Sequence, residues 1–280
     1  MTRLRRPSAP GLTAAQTAGF LLPLCLVVLA LLLAPLGRLA DASLHHGPQL
    51  TLANYAKTWG DAYYRTALLH SLVLSFCVAS FSTLLCLGPA WLLAHHEFPG
   101  KRLIRAAFTL PLSLSGVMVG FLAVIMIGRV GFVPQMAAKL TGFAWFSGVA
   151  YQLEGLVIAY LYFEIPRGVL LLESSLRKFD LQLMDAAASL GANGWQQFRW
   201  VILPLMRPAI LSTFALTYSV SLGSFGVALI LSRRFSVLPL ELFHQFTAMS
   251  NAPLASAMAV TLAVIALAIQ LAVHRSLRGR

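Results

Sequence analysis

The chain has 280 residues, of which 58% are hydrophobic and only 11% charged, with a formal net charge of +12 and a mean hydropathy of +0.77. A soluble domain carries about 25% charged residues, so this composition excludes an ordinary soluble globule and points to a chain solvated mainly by lipid. The positive balance fits Lys and Arg gathered in loops beside anionic lipid; it does not read as nucleic-acid binding, because no basic patch interleaved with aromatics accompanies it.

Residues 1–16 form a basic N-terminal tail with Arg3, Arg5 and Arg6. The apolar run that follows from about Thr17 is too long for the core of a signal peptide, so it reads as a retained first span. Six stretches reach the roughly 20 residues that cross a bilayer as a helix: near 17–40, 66–94, 105–128, 149–172, 206–231 and 253–274. The runs lack period-2 alternation, which disfavours strands. The expected fold is therefore an all-α bundle of six transmembrane helices in one domain, 17–274, with a short tail at 275–280. Trp59, Trp91, Trp145 and Tyr151 suit interfacial belts, and Arg129 and Glu154 suit side chains that snorkel to an interface. Ser71, Ser75, Ser80, Ser82 and Thr83 suit close helix packing. His45-His46 reads as solvated loop. Cys25, Cys77 and Cys86 lie inside apolar runs with no CxxC and no Cys/His cluster, so neither a disulfide framework nor a metal site is supported.

One loop, 173–205, is polar and helix-forming. Glu173 to Leu190 reads as a helix that Asp180 can cap, with Leu181, Met184, Ala188 and Leu190 as its apolar stripe. Ala186-Ala187-Ala188 propagates helix without bulk. Gly191 ends it, Asn193-Gly194 makes a turn, and a second short helix from Trp195 to Val201 carries Trp195, Phe198 and Ile202. Pro204 and Pro208 then mark the start of span five. A compact amphipathic helix-turn-helix suits either a knob that fits a groove on a partner or a segment lying on the membrane surface.

Lys and Arg counts orient the chain. The N-terminus, the 95–105 and 173–207 loops and the C-tail hold Arg3, Arg5, Arg6, Lys101, Arg102, Arg105, Arg177, Lys178, Arg199, Arg207, Arg275, Arg278 and Arg280; the alternate loops hold Lys57, Arg65, Arg129, Lys139, Arg233 and Arg234. This bias predicts both termini, and the 173–205 loop, in the cytoplasm.

Ionisable residues inside spans are costly and point to function. Glu164 and Arg167, three apart around Pro166, are close enough to pair, either along a translocation path or as a structural pair. His70 in span two is a further path candidate or an interhelical hydrogen-bonder. No G-x-x-x-x-G-K-[ST] occurs: His95 stands where the first Gly of such a loop before Gly100-Lys101 belongs. The chain therefore has no P-loop to hold ATP, and no motif for catalysis.

The loop then acquires a family. Asp185-Ala186-Ala187, Gly191, Phe198 and Ile202-Leu203-Pro204 resemble, in order and spacing, the signature of permease subunits of binding-protein-dependent ABC importers: E-A-A, three residues, G, then a gap and L-P. The resemblance implies that Asp185 is an acidic contact on an ATPase subunit, that Ala186 and Ala187 form a close-packing surface, and that Gly191 makes the turn. Asp stands where Glu is usual, one methylene shorter. Thr51-Leu52-x-Asn54-Tyr55, Ser71-Leu72, Ser224 to Leu231 and Leu238-Pro239-Leu240-Glu241 resemble the branch for polyamines, ferric iron, thiamine or 2-aminoethylphosphonate. The implied assembly has two permease subunits, two ATPases that bind the ATP and Mg, and a periplasmic substrate-binding protein, all in or at a bacterial inner membrane. The competing readings are a self-contained proton-coupled transporter relaying through Glu164 and His70, and a membrane scaffold.

Overall fold

A long apolar run in lipid has no water to satisfy its backbone, so it must bond internally, and here it does so as helix. The computed structural model describes residues 14–46, 49–142, 149–178, 180, 182–232 and 235–278. Arg3, Arg5, Arg6, Trp145, Leu181, Arg233, Arg234 and Arg280 lie outside the described residues. Thirteen α-helices are described: α1 Ala14–Ser43, α2 Ala53–Gly60, α3 Ala62–His95, α4 Lys101–Thr109, α5 Gly116–Ile127, α6 Phe132–Thr141, α7 Leu153–Leu176, α8 Gln182–Ser189, α9 Gly194–Gln197, α10 Leu203–Gly223, α11 Gly226–Leu231, α12 Leu238–Thr247 and α13 Ala252–Arg278. Six stretches are long and apolar enough to cross a membrane: Leu21–Ser43, Ala62–His95, Gly116–Thr141, Leu153–Leu176, Gly194–Gly223 and Ala252–Leu277.

Two expected spans are broken. The run at 105–128 divides into α4, a 3₁₀ turn at Pro111–Ser113, and α5. Pro111 brings no N–H to the helix ladder. Ser115 then restarts the helix by accepting from the Met118 N–H at 3.3 Å. The run at 206–231 stops at Gly223, passes through Ser224 and Phe225, and resumes as α11. Apolar composition continues across both breaks, which is why hydropathy alone reads straight through them. A two-residue antiparallel ladder, His45 with Leu50 and His46 with Gln49, is the small exception to the all-helical expectation among the described residues.

The longest helix, α3, starts at an Asp61 cap, whose Oδ1 accepts from the Tyr63 N–H at 2.9 Å, and packs along α7 and α10. At Gly168 of α7 an added Cβ would lie 2.7 Å from Cys86 Sγ, so these two helices meet almost backbone to side chain, as small-residue packing in lipid requires. Three apolar clusters follow α3. Leu74 and Val78 pack with Tyr160, Val227 and Leu231. Leu68 and Ala79 pack with Tyr218, Leu238 and Met258. Cys86 and Leu93 pack with Leu172, Ile202 and Met206. α12 is pinned across the start of α3: Ser71 Oγ accepts from the Leu238 N–H at 2.7 Å, Tyr63 OH donates to Glu241 at 2.6 Å, and Gln245 donates to Tyr64 OH at 3.0 Å.

Candidate functional site

The 173–205 segment is not one helix followed by another. α7 ends at Leu176, so Glu173 belongs to that span, and the polar segment begins beyond it. Asp180 caps α8, its Oδ1 accepting from the Gln182 N–H at 2.9 Å, as the sequence suggests. The other end of α8 closes in a Schellman motif: Gly191 N–H donates to Ala188 O at 2.9 Å and Ala192 N–H to Ala187 O at 3.1 Å. Gly191 has φ +82°, a left-handed conformation that costs a residue with a Cβ about 1–2 kcal/mol. Asn193 does more than turn the chain. It forms a capping box with Gln196, the Asn193 N–H donating to Gln196 Oε1 at 2.8 Å and the Gln196 N–H to Asn193 Oδ1 at 2.9 Å, so α9 starts at a fixed angle to α8.

Beyond α9 the chain does not stop at its prolines. A π-helical turn, Phe198–Ile202, carries the helix into α10, the Leu203 N–H donating to Phe198 O. Pro204 supplies no N–H and its ring crowds the carbonyl four residues back; a π-bulge places an extra residue there and lets the helix continue. Gly194 to Gly223 is thus one continuous rod.

The outward surface of this segment is unusual. Asp185, Ala186, Leu190 and Gly191 are exposed, and so are Trp195, stacked on Phe198 at 5.8 Å, and Trp200. Leu190, expected in the apolar stripe, instead points away from the bundle at 89% exposure. Met184 anchors α8, packing on the Cys86–Met206 cluster over an apolar hollow of about 300 Å³ lined by Leu87, Trp91, Phe198 and Ile202. The structure therefore brings Asp185, Ala186, Ala187 and Gly191 onto one small element, with Phe198 and Pro204 in the rod behind it.

Beside this element lies an ionic cluster that single-sequence reasoning missed. Glu173, 5% exposed in its side chain, accepts from Arg105 Nε at 3.3 Å and from its Nη2, and from Arg177 Nη2 at 2.9 Å. The pair clasps α4 to the end of α7. Only the 173–177 spacing is visible in sequence; the link to Arg105 spans 68 residues. Nearby, Lys101 donates to Glu97 at 2.6 Å and holds that carboxyl below the usual carboxylate range.

The second candidate region lies within the bundle. Arg167 Nη1 donates to Glu164 Oε1 at 2.5 Å, and the guanidinium sits over the Phe163 ring at 5.7 Å. Glu164 is fully buried while Arg167 is about one-third exposed. The arginine lines a cavity of about 320 Å³ with Pro111, Gly116, Phe163, Gly223 and Ser224. His70 is elsewhere. It pairs through Nδ1 with Ser236 O at 3.0 Å and lies edge-on to Phe235, fastening α3 to the segment before α12. Gly168 meets α3 at Cys86, and at 1.5 Å per residue His70 is about 24 Å further along that helix. The structure does not bring His70 and Glu164 into one relay.

Residues 87–278 match the family described as binding-protein-dependent transport system inner membrane component. The chain belongs to this family. It is 35% identical over 162 residues to the molybdenum transport system permease protein ModB of Haemophilus influenzae, covering 57% of this chain and 69% of the relative. It is 29% identical over 222 residues to the sulfate transport system permease protein CysW of Synechococcus elongatus, covering 76% and 73%. Its fold matches a chain of a bacterial ABC transporter involved in alginate import with a TM-score of 0.79, 18% identity and 94% coverage of both chains. A chain of the methionine ABC transporter MetNI matches with a TM-score of 0.56 and 18% identity, covering 78% of this chain and 95% of that one. These relatives are named for molybdenum and sulfate, and they lend no support to the narrower resemblance to polyamine, ferric iron, thiamine and 2-aminoethylphosphonate systems. The segments that suggested it have architectural duties: Ser224 ends α10, and Leu238 to Glu241 start α12 and fix it to α3.

Proposed function

We propose that this permease is the membrane subunit of an ATP-driven importer of a tetrahedral oxyanion, of the molybdate or sulfate kind, and that α8 is the element on which a separate ATPase acts. The exposed, sharply capped α8–α9 corner at the foot of a continuous rod is the observation that carries this reading. Its surface is small-residue and acidic at Ala186, Ala187 and Asp185, which suits close approach to another backbone. Phe198 and Pro204 shape the rod that receives the push. ATP and Mg belong to the partner, in keeping with a chain that has no P-loop.

The Lys and Arg bias supports both termini in the cytoplasm and places α8 there. The ionic cluster fits this, since it joins the 95–105 loop to the end of α7 at the same end of the bundle. A second permease subunit, identical or homologous, would complete the path, and a periplasmic binding protein would deliver the anion on the opposite side.

The test is co-expression with candidate ABC ATPases from the same organism, then copurification and ATP-driven uptake in proteoliposomes. Asp185→Arg and Gly191→Trp should each cut ATPase copurification and uptake by at least tenfold, because one reverses the charge and the other fills the turn. Undiminished copurification and uptake in both variants would remove α8 from the coupling role.

A further inference from the structure

We propose that Arg167 forms an oxyanion-binding site within the permease, in the cavity bounded by the two helix breaks, and that Glu164 positions it. This rests on the oxyanion reading above and assigns it a place. In lipid, irregular backbone survives only where it is buried in protein or lines a polar cavity. Both breaks meet that condition at the same cavity. Pro111 and Gly116 lie at the break between α4 and α5, and Gly223 and Ser224 lie at the end of α10 and in the break before α11. The two gaps touch, a Cβ at Gly226 lying only 2.9 Å from the Val117 backbone nitrogen. An apolar bundle gains nothing from two aligned interruptions unless something polar passes them.

Arg167 is the cation in that gap. Among the described residues its hydrogen bonding consists of the Nη1 contact to Glu164, whereas a guanidinium carries five N–H donors. The planar fork that remains matches two oxygens of a tetrahedral oxyanion, the geometry for which arginine is suited. Glu164 is fully buried and Arg167 is not, so a solute in the cavity meets the guanidinium rather than the carboxylate behind it. The Phe163 ring lies beneath the guanidinium at 5.7 Å and adds a cation–π contact that helps hold it over the cavity. The cavity, at about 320 Å³, holds roughly ten water volumes of about 30 Å³ each. A tetrahedral oxyanion therefore enters with part of its hydration, which suits passage better than tight retention.

The experiment uses the full complex of permease, ATPase and binding protein in proteoliposomes, with labelled molybdate and sulfate as probes. Arg167→Gln should lower oxyanion uptake at least tenfold while ATP hydrolysis stimulated by the loaded binding protein persists. Arg167→Lys keeps the charge without the fork and should retain a measurable part of that uptake. Gly223→Leu provides a check that leaves the Arg167–Glu164 pair intact: no atom lies within 4 Å of a Cβ there, so the complex should assemble with its cavity narrowed and its uptake reduced severalfold. Glu164→Gln should raise the oxyanion concentration needed for half-maximal uptake in a permease that assembles normally, which a merely structural role would not do. Wild-type uptake of oxyanion that neither Arg167→Gln nor Gly223→Leu changes overturns the site alone. A wild-type complex that hydrolyses ATP with its own binding protein yet takes up neither anion overturns the substrate reading and the site together.

Discussion

Around Glu164 and Glu173 the protein buries carboxylates; from the end of α8 to the π-turn it exposes Leu190, Trp195 and Trp200. Both regions invert the ordinary rule of burial, and they do so for different reasons. The buried acids are each held by arginine, at 2.5 Å for Glu164 and by two guanidiniums for Glu173, so part of the desolvation cost is offset locally. Among the described residues the exposed aromatics meet only single neighbours, Phe198 for Trp195 and the Arg199 guanidinium for Trp200. An inward carboxylate has its counter-charge within the chain, whereas an outward aromatic awaits a surface.

That contrast is open to direct attack. If inward carboxylates have their counter-charge within the chain, breaking one such pair should harm the isolated permease. Glu173→Ala leaves Arg105 and Arg177, both partly exposed, without their shared carboxylate and should cost about 2 kcal/mol, less than the loss of a partner from a fully buried pair, read as a lower melting temperature in detergent; an unchanged melt would mean that the clasp contributes nothing. Gly226→Ala comes next. Its Cβ would press on backbone at Val117 and Gly116, and overpacking of this kind costs about 2 kcal/mol, again visible in the melt and in the yield of intact protein.

The coupling surface should behave in the opposite manner. Asn193→Ala removes the capping box and should cost about 1 kcal/mol locally. The global melt should barely move, yet amide exchange at α9 should quicken and binding-protein-stimulated ATP hydrolysis should fall by a few-fold. A large drop in melting temperature with normal coupling would reverse the assignment of roles. The smallest effect concerns Glu97, whose carboxyl is lowered by its bond to Lys101. A depressed carboxylate contributes stability above its unfolded pKa and loses it as pH falls through the folded one. Glu97→Gln should therefore leave neutral-pH stability almost unchanged and slightly flatten its decline on the acid side; any larger change would show that this exposed pair matters more than such pairs usually do.

The six spans and the capped corner were legible because their causes are local. Hydropathy needs only composition over a window, and Gly191 announces a left-handed residue that other side chains adopt at a cost. Asp180 likewise needs only a neighbour two residues on. The cavity was not legible. Leu110, Leu112 and Leu114 keep the window apolar through the first break, as Phe225 and Val227 do through the second, so the interruptions carry no hydropathy signal. A Pro at 111 with Ser113 and Ser115, and Gly223 before Ser224, were the available hints. Arg105 and Glu173 meet only because α4 folds back on α7, and His70 parts from Glu164 because it lies far along the long helix α3. Such relations exist in three dimensions and leave no periodic trace.

The unbroken helix from Gly194 to Gly223 has a mechanical consequence. At 1.5 Å per residue it is about 45 Å long, so a tilt of only about 5° about one end carries the other through roughly 4 Å. That displacement exceeds the diameter of a water molecule. The π-turn at Phe198–Ile202 sits near the driven end, where a bend would waste the least stroke, and Gly223 sits at the working end beside the Arg167 cavity. Under the proposed coupling at α8, stiffness over that length would convert a small, local push into a change of bore.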